Sequence, residues 1–305
     1  MPLHPEYETM LRQLTEMEGP DLVDLPVAVG REMYRAMQPE APDVPVGAVS
    51  DVDAGGVPAR VYRPEGDGPF AVVMMFHGGG WVIGDLDTAD RQSREVCRGA
   101  GALVVSVDYR LAPEHTFPAA ADDCYAATCW AAEHAADHDG DASRLAVAGD
   151  SAGGNLAAVV AQMARDRGGP GLAFQLLVYP VTDGVDHDWP SYRDNAEGYL
   201  LSAAAMGWFW NHYAPAAADR RNPYASPLRA ESLAGLPPAL VMTAEFDPLR
   251  DEGEAYAQAL TAAGVEAERV RYDGFIHGFF SHTGTLPATR TAMDKACAAL
   301  SSALA

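Results

Sequence analysis

The chain has 305 residues, 48% of them hydrophobic and 21% charged, with a net charge of −22 at pH 7. That balance gives ample core for one large domain or two average ones, and it argues against nucleic acid and anionic membrane surfaces as partners, since binding phosphate needs basic patches. No apolar run approaches the roughly 18 residues of a membrane span, and Met1-Pro2-Leu3-His4-Pro5-Glu6 lacks the basic and apolar stretches of a secretory signal.

A cytoplasmic location is therefore expected. Cys97, Cys124, Cys129 and Cys297 form no C-x-x-C pair and no histidine stands at finger-like spacing, so four free thiols are expected and no structural metal. Lys295 is the single lysine. That bias fits GC-rich coding, and adaptation to high salt would give the same acidic, lysine-poor surface.

In chain order, Glu6 to Glu18 predicts a helix, with Tyr7, Met10, Leu11, Leu14 and Met17 near helical spacing. Gly19-Pro20 ends it, and a second helix is predicted from Leu25 to Met37, before Pro39, Pro42 and Pro45. Val46 to Val52 and Ala59 to Tyr62 read as strands across the turn Asp53-Ala54-Gly55-Gly56. Strands then alternate with helices. The strands are Ala71 to Phe76, Ala102 to Val107, Leu145 to Ala148, Phe174 to Tyr179, Ala239 to Thr243 and Arg269 to Tyr272. The helices are Thr88 to Arg98, Pro118 to His138, Ala152 to Arg167 and Arg250 to Ala263, with Thr285 to Leu304 closing the chain. Strands apolar on both faces predict an α/β fold, its mostly parallel sheet covered by helices on both sides. Asp183 to Leu228 is too long for a simple connection and holds many aromatics, including Trp189, Trp208, Phe209 and Trp210. Such an insertion suits a cap over a pocket, or the core of a small helical layer.

The chemistry centres on Gly149-Asp150-Ser151-Ala152-Gly153, a G-x-S-x-G between an apolar strand and a helix. A serine on that tight turn projects its hydroxyl outward, and small neighbours are needed to let the strand and helix pass. Serine is a poor nucleophile without a base. Of nine histidines, His277 follows the last strand with Gly278 beside it and apolar flanks, and His282 is its nearest competitor. Asp247, at the end of the run from Ala239, is the expected acid that orients the imidazole, with Asp251 the alternative. The amides of Gly79, Gly80 and Ala152 are expected to hold the oxyanion, since glycine lets backbone N–H groups approach a ligand. His77 reads as a polar brace of the glycine loop rather than a base. Trp81, Trp208, Phe209 and Phe279 are the candidate walls of a substrate pocket.

These pieces together resemble the bacterial hormone-sensitive lipase family of α/β-hydrolase esterases. The resemblance rests on His77-Gly78-Gly79-Gly80-Trp81, Asp108-Tyr109-Arg110-Leu111-Ala112-Pro113-Glu114 with Phe117-Pro118-Ala119-Ala120, Gly149 to Asn155, Asp247 to Glu252, and His277-Gly278-Phe279, in family order. It implies an eight-stranded α/β-hydrolase domain over 46–182 and 229–305, capped by helices of 1–45 and by the insertion 183–228. It implies carboxylesterase activity on short- to medium-chain acyl esters, a small-molecule ester as partner, no metal or organic cofactor, and often a homodimer. An amidase or aryl-formamidase would share the same triad. A ligand-binding relative that has lost catalysis would be expected to lack the histidine that this chain keeps at position 277.

Overall fold

The computed structural model describes every residue except 17, 18, 39–42 and 187. The chain forms α1 (Pro5–Glu16), α2 (Val27–Met37), β1 (Ala48–Asp53), β2 (Pro58–Arg63), β3 (Phe70–Phe76), α3 (Asp90–Ala100), β4 (Leu103–Val107), α4 (Ala119–His134), β5 (Gly140–Asp150), α5 (Ala152–Arg167) and β6 (Phe174–Val178). The insertion contributes α6 (Pro190–Asp194), α7 (Ala203–Tyr213) and α8 (Ala217–Arg220). Then follow β7 (Ala239–Phe246), α9 (Arg250–Ala262), β8 (Ala267–Ile276) and α10 (Arg290–Ala303). The predicted end of the first helix at Met17 and Glu18, and Pro39 and Pro42, lie outside the described residues.

The strands make one eight-stranded sheet in the order β1-β2-β4-β3-β5-β6-β7-β8. β1 and β2 pair antiparallel, as do β2 and β4, and all later pairs are parallel. The α/β expectation is thus met. Strand side chains alternate between faces. In β3, Val72, Met74 and Phe76 join the core beneath α4, α5 and α9, while Ala71, Val73 and Met75 join the core beneath α1, α3 and α10. Burial on both faces is why β3 reads as an unbroken apolar run.

Some bounds differ from the sequence reading, for physical reasons. β5 begins at Gly140, five residues before the apolar run, because Asp141, Ser143 and Arg144 satisfy one another at its polar entrance. The long helix ends at His134 and continues as a short 3₁₀ turn, Ala135–His138. α5 is buried on nearly all sides from Ala152 to Ala164. Its run of Ala, Gly and Val lets it lie close against the sheet at the position that matters most for the site.

Candidate active site

Strand order decides what meets at the C-terminal edge of the sheet, where open α/β sheets place their ligands. His77 and the glycine loop leave β3, and Ser151 leaves its neighbour β5. Asp247 leaves β7 and His277 leaves the adjacent β8. Four loops far apart in sequence therefore converge.

Ser151 has φ 55° and ψ −117°, a backbone state that side chains avoid, imposed by the turn from β5 into α5. Its amide donates to the Val178 carbonyl at 2.9 Å, and its own carbonyl accepts from Asn155 and Val181 at 3.0 and 3.3 Å. Gly149 and Gly153 make the turn sterically possible, since a Cβ on Gly153 would strike the Phe76 carbonyl. The Ser151 Oγ lies 3.0 Å from Nε2 of His277. Nδ1 of His277 lies 2.7 Å from Oδ2 of Asp247. Asp247 is fully buried, and its other oxygen accepts the Leu249 amide at 2.9 Å. Asp251 instead accepts from the Ser191 amide and from Arg250. His282 stands on the cavity wall, apart from the Ser151–His277–Asp247 chain.

The insertion holds the Asp247 loop. Asn195 donates to the carbonyls of Glu245 and Asp247 at 3.3 and 3.2 Å, and the Ser191 hydroxyl donates to the Pro248 carbonyl at 2.6 Å. Neither residue carried a sequence signal, because their partners are some fifty residues away.

Opposite, the glycine loop is shaped by its own backbone. The Val82 and Ile83 amides donate to the Gly79 carbonyl at 3.1 and 3.0 Å, and Gly79 and Gly80 both have positive φ. Among the described residues the Gly79 and Gly80 amides have no acceptor. Ala152 is the first residue of α5, so its amide has no intrahelical partner either. His77 is buried, stacks on Tyr109 at 4.3 Å and donates from Nδ1 to the Gly78 carbonyl at 2.7 Å. The Tyr109 hydroxyl donates to the His77 carbonyl at 2.7 Å. Burial pushes the His77 pKa down, which keeps the ring neutral.

Asp150, a filler position in the motif, links the two sides. Its Oδ1 accepts the Gly78 amide at 2.9 Å, and it lies on the cavity wall. Burial pushes its pKa up to about 6, against the opposing pull of His277, the Gly78 amide and the Tyr179 hydroxyl.

Ser151 and His277 open into a cavity of about 550 Å³. Met33, Tyr34 and Met37 of α2 line it from one side, and Leu201, Met206 and Phe209 of the insertion from the other. A wider groove of about 900 Å³ beneath α1 meets it at Met37, Gln38, Leu200 and His282. Of the four expected pocket aromatics, Phe209 lines the cavity. Trp81 turns into the body of the protein, stacked on Tyr213 at 4.2 Å. Phe279 packs beneath Tyr179, Tyr272 and Phe275. Trp208 is off the cavity wall, packed on His212 at 4.2 Å and edge-on to Phe209 at 5.2 Å. All four cysteines are free thiols. Among the described residues no three His, Cys, Asp or Glu are grouped as a metal would require, and no helix is long and apolar enough to cross a membrane.

Comparison with known proteins gives the arrangement its context. The sequence profile of an α/β-hydrolase fold family matches residues 73–281. Esterase LipI of Mycobacterium tuberculosis is 47% identical over 271 residues, 86% of this chain and 83% of that protein. Carboxylesterase NlhH of the same organism is 47% identical over 252 residues, 81% and 79% of the two chains. The crystal structure of a thermostable esterase from Pseudomonas putida superposes with a TM-score of 0.95 at 43% identity, covering 100% of this chain and 98% of that one. The chain belongs to the hormone-sensitive lipase family of the α/β-hydrolase superfamily and is a carboxylic ester hydrolase.

Proposed function

We propose that the protein is a serine carboxylesterase that hydrolyses short- to medium-chain acyl esters through an acyl-enzyme intermediate. The observation that carries this reading is the hydrogen-bonded chain Ser151–His277–Asp247, opening into an apolar-walled cavity beside the amides of Gly79 and Gly80. The Ser151 oxygen attacks the ester carbonyl carbon while its proton passes to His277 Nε2. Asp247 holds Nδ1–H and stabilises the imidazolium. The carbonyl oxygen becomes an oxyanion held by the amides of Gly79, Gly80 and Ala152. As the C–O bond to the alcohol breaks, Nε2 returns the proton to the departing oxygen. Water then repeats the sequence on the acyl-serine, releasing the acid and restoring Ser151.

His77 acts as the neutral brace of the glycine loop. Residues 1–45 and 183–228 form the cap of a catalytic domain made of 46–182 and 229–305. A cavity of about 550 Å³ suits acyl groups of modest length. A panel of p-nitrophenyl esters with one matched amide tests the assignment. Ester turnover should dominate and peak at short to medium acyl length. Faster cleavage of the amide would reassign the enzyme.

A further inference from the structure

The two sides of α2 have different partners. Met33, Tyr34 and Met37 wall the cavity. Arg31 and Arg35, one turn apart, reach the segment after the glycines, Arg35 pairing with Asp85. Arg31 makes the closer connection. Its Nε donates to the Val82 carbonyl at 2.8 Å, and its Nη2 donates to the Ala112 carbonyl at 2.9 Å. The same guanidinium forks onto Glu114 at 2.9 and 2.7 Å. Ala112 in turn donates its amide to the Trp81 carbonyl at 2.9 Å. Val82 closes the tight turn that begins at Gly79, since its amide bonds the Gly79 carbonyl. One planar guanidinium thus ties the glycine loop, at Val82, to the neighbouring segment after β4, at Ala112.

The exposed half of this contact is the weaker one. The Glu114 side chain is 56% exposed, and exposed ion pairs contribute little. The carbonyl bonds are part-buried and directional, which suits the fixed fork of arginine.

We propose that Arg31 is a positioning residue that couples the fit of the acyl group beneath α2 to the placement of the oxyanion amides. The inference rests on the serine-esterase reading above. An acyl chain that fills the space under Met33, Tyr34 and Met37 seats α2, and Arg31 transmits that seating to Val82 and so to Gly79. Recognition of the acyl chain then appears in kcat as well as KM.

The test uses the full chain and p-nitrophenyl esters from acetate to octanoate, with active sites counted by fluorophosphonate labelling. Arg31→Met keeps the stem and removes the fork. It should lower kcat for the preferred ester about 10- to 100-fold with KM changed less than about threefold, as a small misplacement of transition-state donors does. Inhibition by an alkyl trifluoromethyl ketone, which places an oxyanion in the same position, should weaken by a similar factor. The dependence of kcat on acyl length should flatten. Arg31→Lys should restore part of the rate, and Glu114→Gln, which leaves both carbonyl bonds in place, should stay near wild type. Unchanged kcat per labelled site in Arg31→Met, or an equal fall in Glu114→Gln, overturns the proposal. If Arg31→Met does not fold, Arg31→Lys decides: a reduced kcat at constant KM supports the coupling, and wild-type kcat overturns it. Failure of the wild-type enzyme to label at Ser151 would instead remove the serine reading itself.

Discussion

Asp150→Asn isolates a cost that the active site carries at neutral pH. The Asp150 carboxyl is buried between the β5–α5 turn and the glycine loop, with a pKa raised from 3.8 to about 6. In the unfolded chain it ionises near 3.8. Between the two values the native state holds a proton that the unfolded state has lost, so stability falls as pH rises through this window and stays reduced above about pH 6. The gap is roughly two pH units, which at about 1.36 kcal/mol per unit is roughly 3 kcal/mol. Asparagine keeps an oxygen for the Gly78 amide and cannot ionise. Other carboxylates act in the opposite sense; Asp141, for example, is pulled down to about 2 by Ser143 and Arg144. The wild type and Asp150→Asn must therefore be compared at each pH, so that shared effects cancel. Urea unfolding at intervals from pH 4 to 8 should show Asn gaining on Asp as pH rises, by roughly 2.5 kcal/mol across the range, with the change centred between pH 4 and 6. A difference independent of pH, or one in which Asp gains as pH rises, would refute the buried-acid argument.

Three further outcomes follow from the site. Ser151→Ala should lose roughly 10⁴-fold in kcat with little change in substrate binding, and a pure variant that keeps a tenth of wild-type turnover excludes the serine mechanism. Phe209→Ala should shift preference toward longer acyl chains, because its ring lies on the cavity wall and against Gly80, whereas Trp208→Ala should leave the acyl profile unchanged; kinetics across an ester series decide it. Gly79→Val should fail in folding as well as in rate, since Gly79 has φ +111° and a Cβ there would strike the Ile83 carbonyl; a thermal melt equal to wild type would contradict this.

That last outcome adds to what the sequence suggests, in which Gly79 serves only to let its amide approach a ligand. The triple glycine shows in the sequence, but the carbonyl folded back upon it does not. A similar division runs through the whole site. Ser151, Asp247 and His277 are legible because each follows the end of a strand, and a parallel sheet delivers such positions to one edge. Asp251 falls away because it lies within the first turn of α9 and is taken by Ser191 and Arg250. Asp150, Asn195 and Arg31 were not legible. Each acts through a partner brought close by tertiary folding, Gly78, Asp247 and Val82 respectively. The aromatic residues show the same limit. Trp81 and Phe279 sit beside site residues in sequence, yet their side chains turn into the core, and adjacency along a loop says nothing about direction.

Several unfavourable features of the structure meet where β5 turns into α5. Ser151 has a backbone state worth about 1–3 kcal/mol of strain. Asp150 carries a buried carboxylate beside it, and Gly149 and Gly153 give up side chains to let α5 pass the end of β3. Under the proposed mechanism each feature corresponds to a geometric need of acyl transfer. The strain aims the Ser151 hydroxyl at His277. The carboxylate fastens the glycine loop to the elbow. The missing side chains bring the start of α5, with the Ala152 amide that has no intrahelical acceptor, beside that loop. None of these would persist on an exposed, loosely packed segment. They are held by an α5 buried from Ala152 to Ala164 and by the bonds of Ser151 to Val178, Val181 and Asn155. The alanine-rich helix, plain in the sequence, is thus what allows the strained serine to exist.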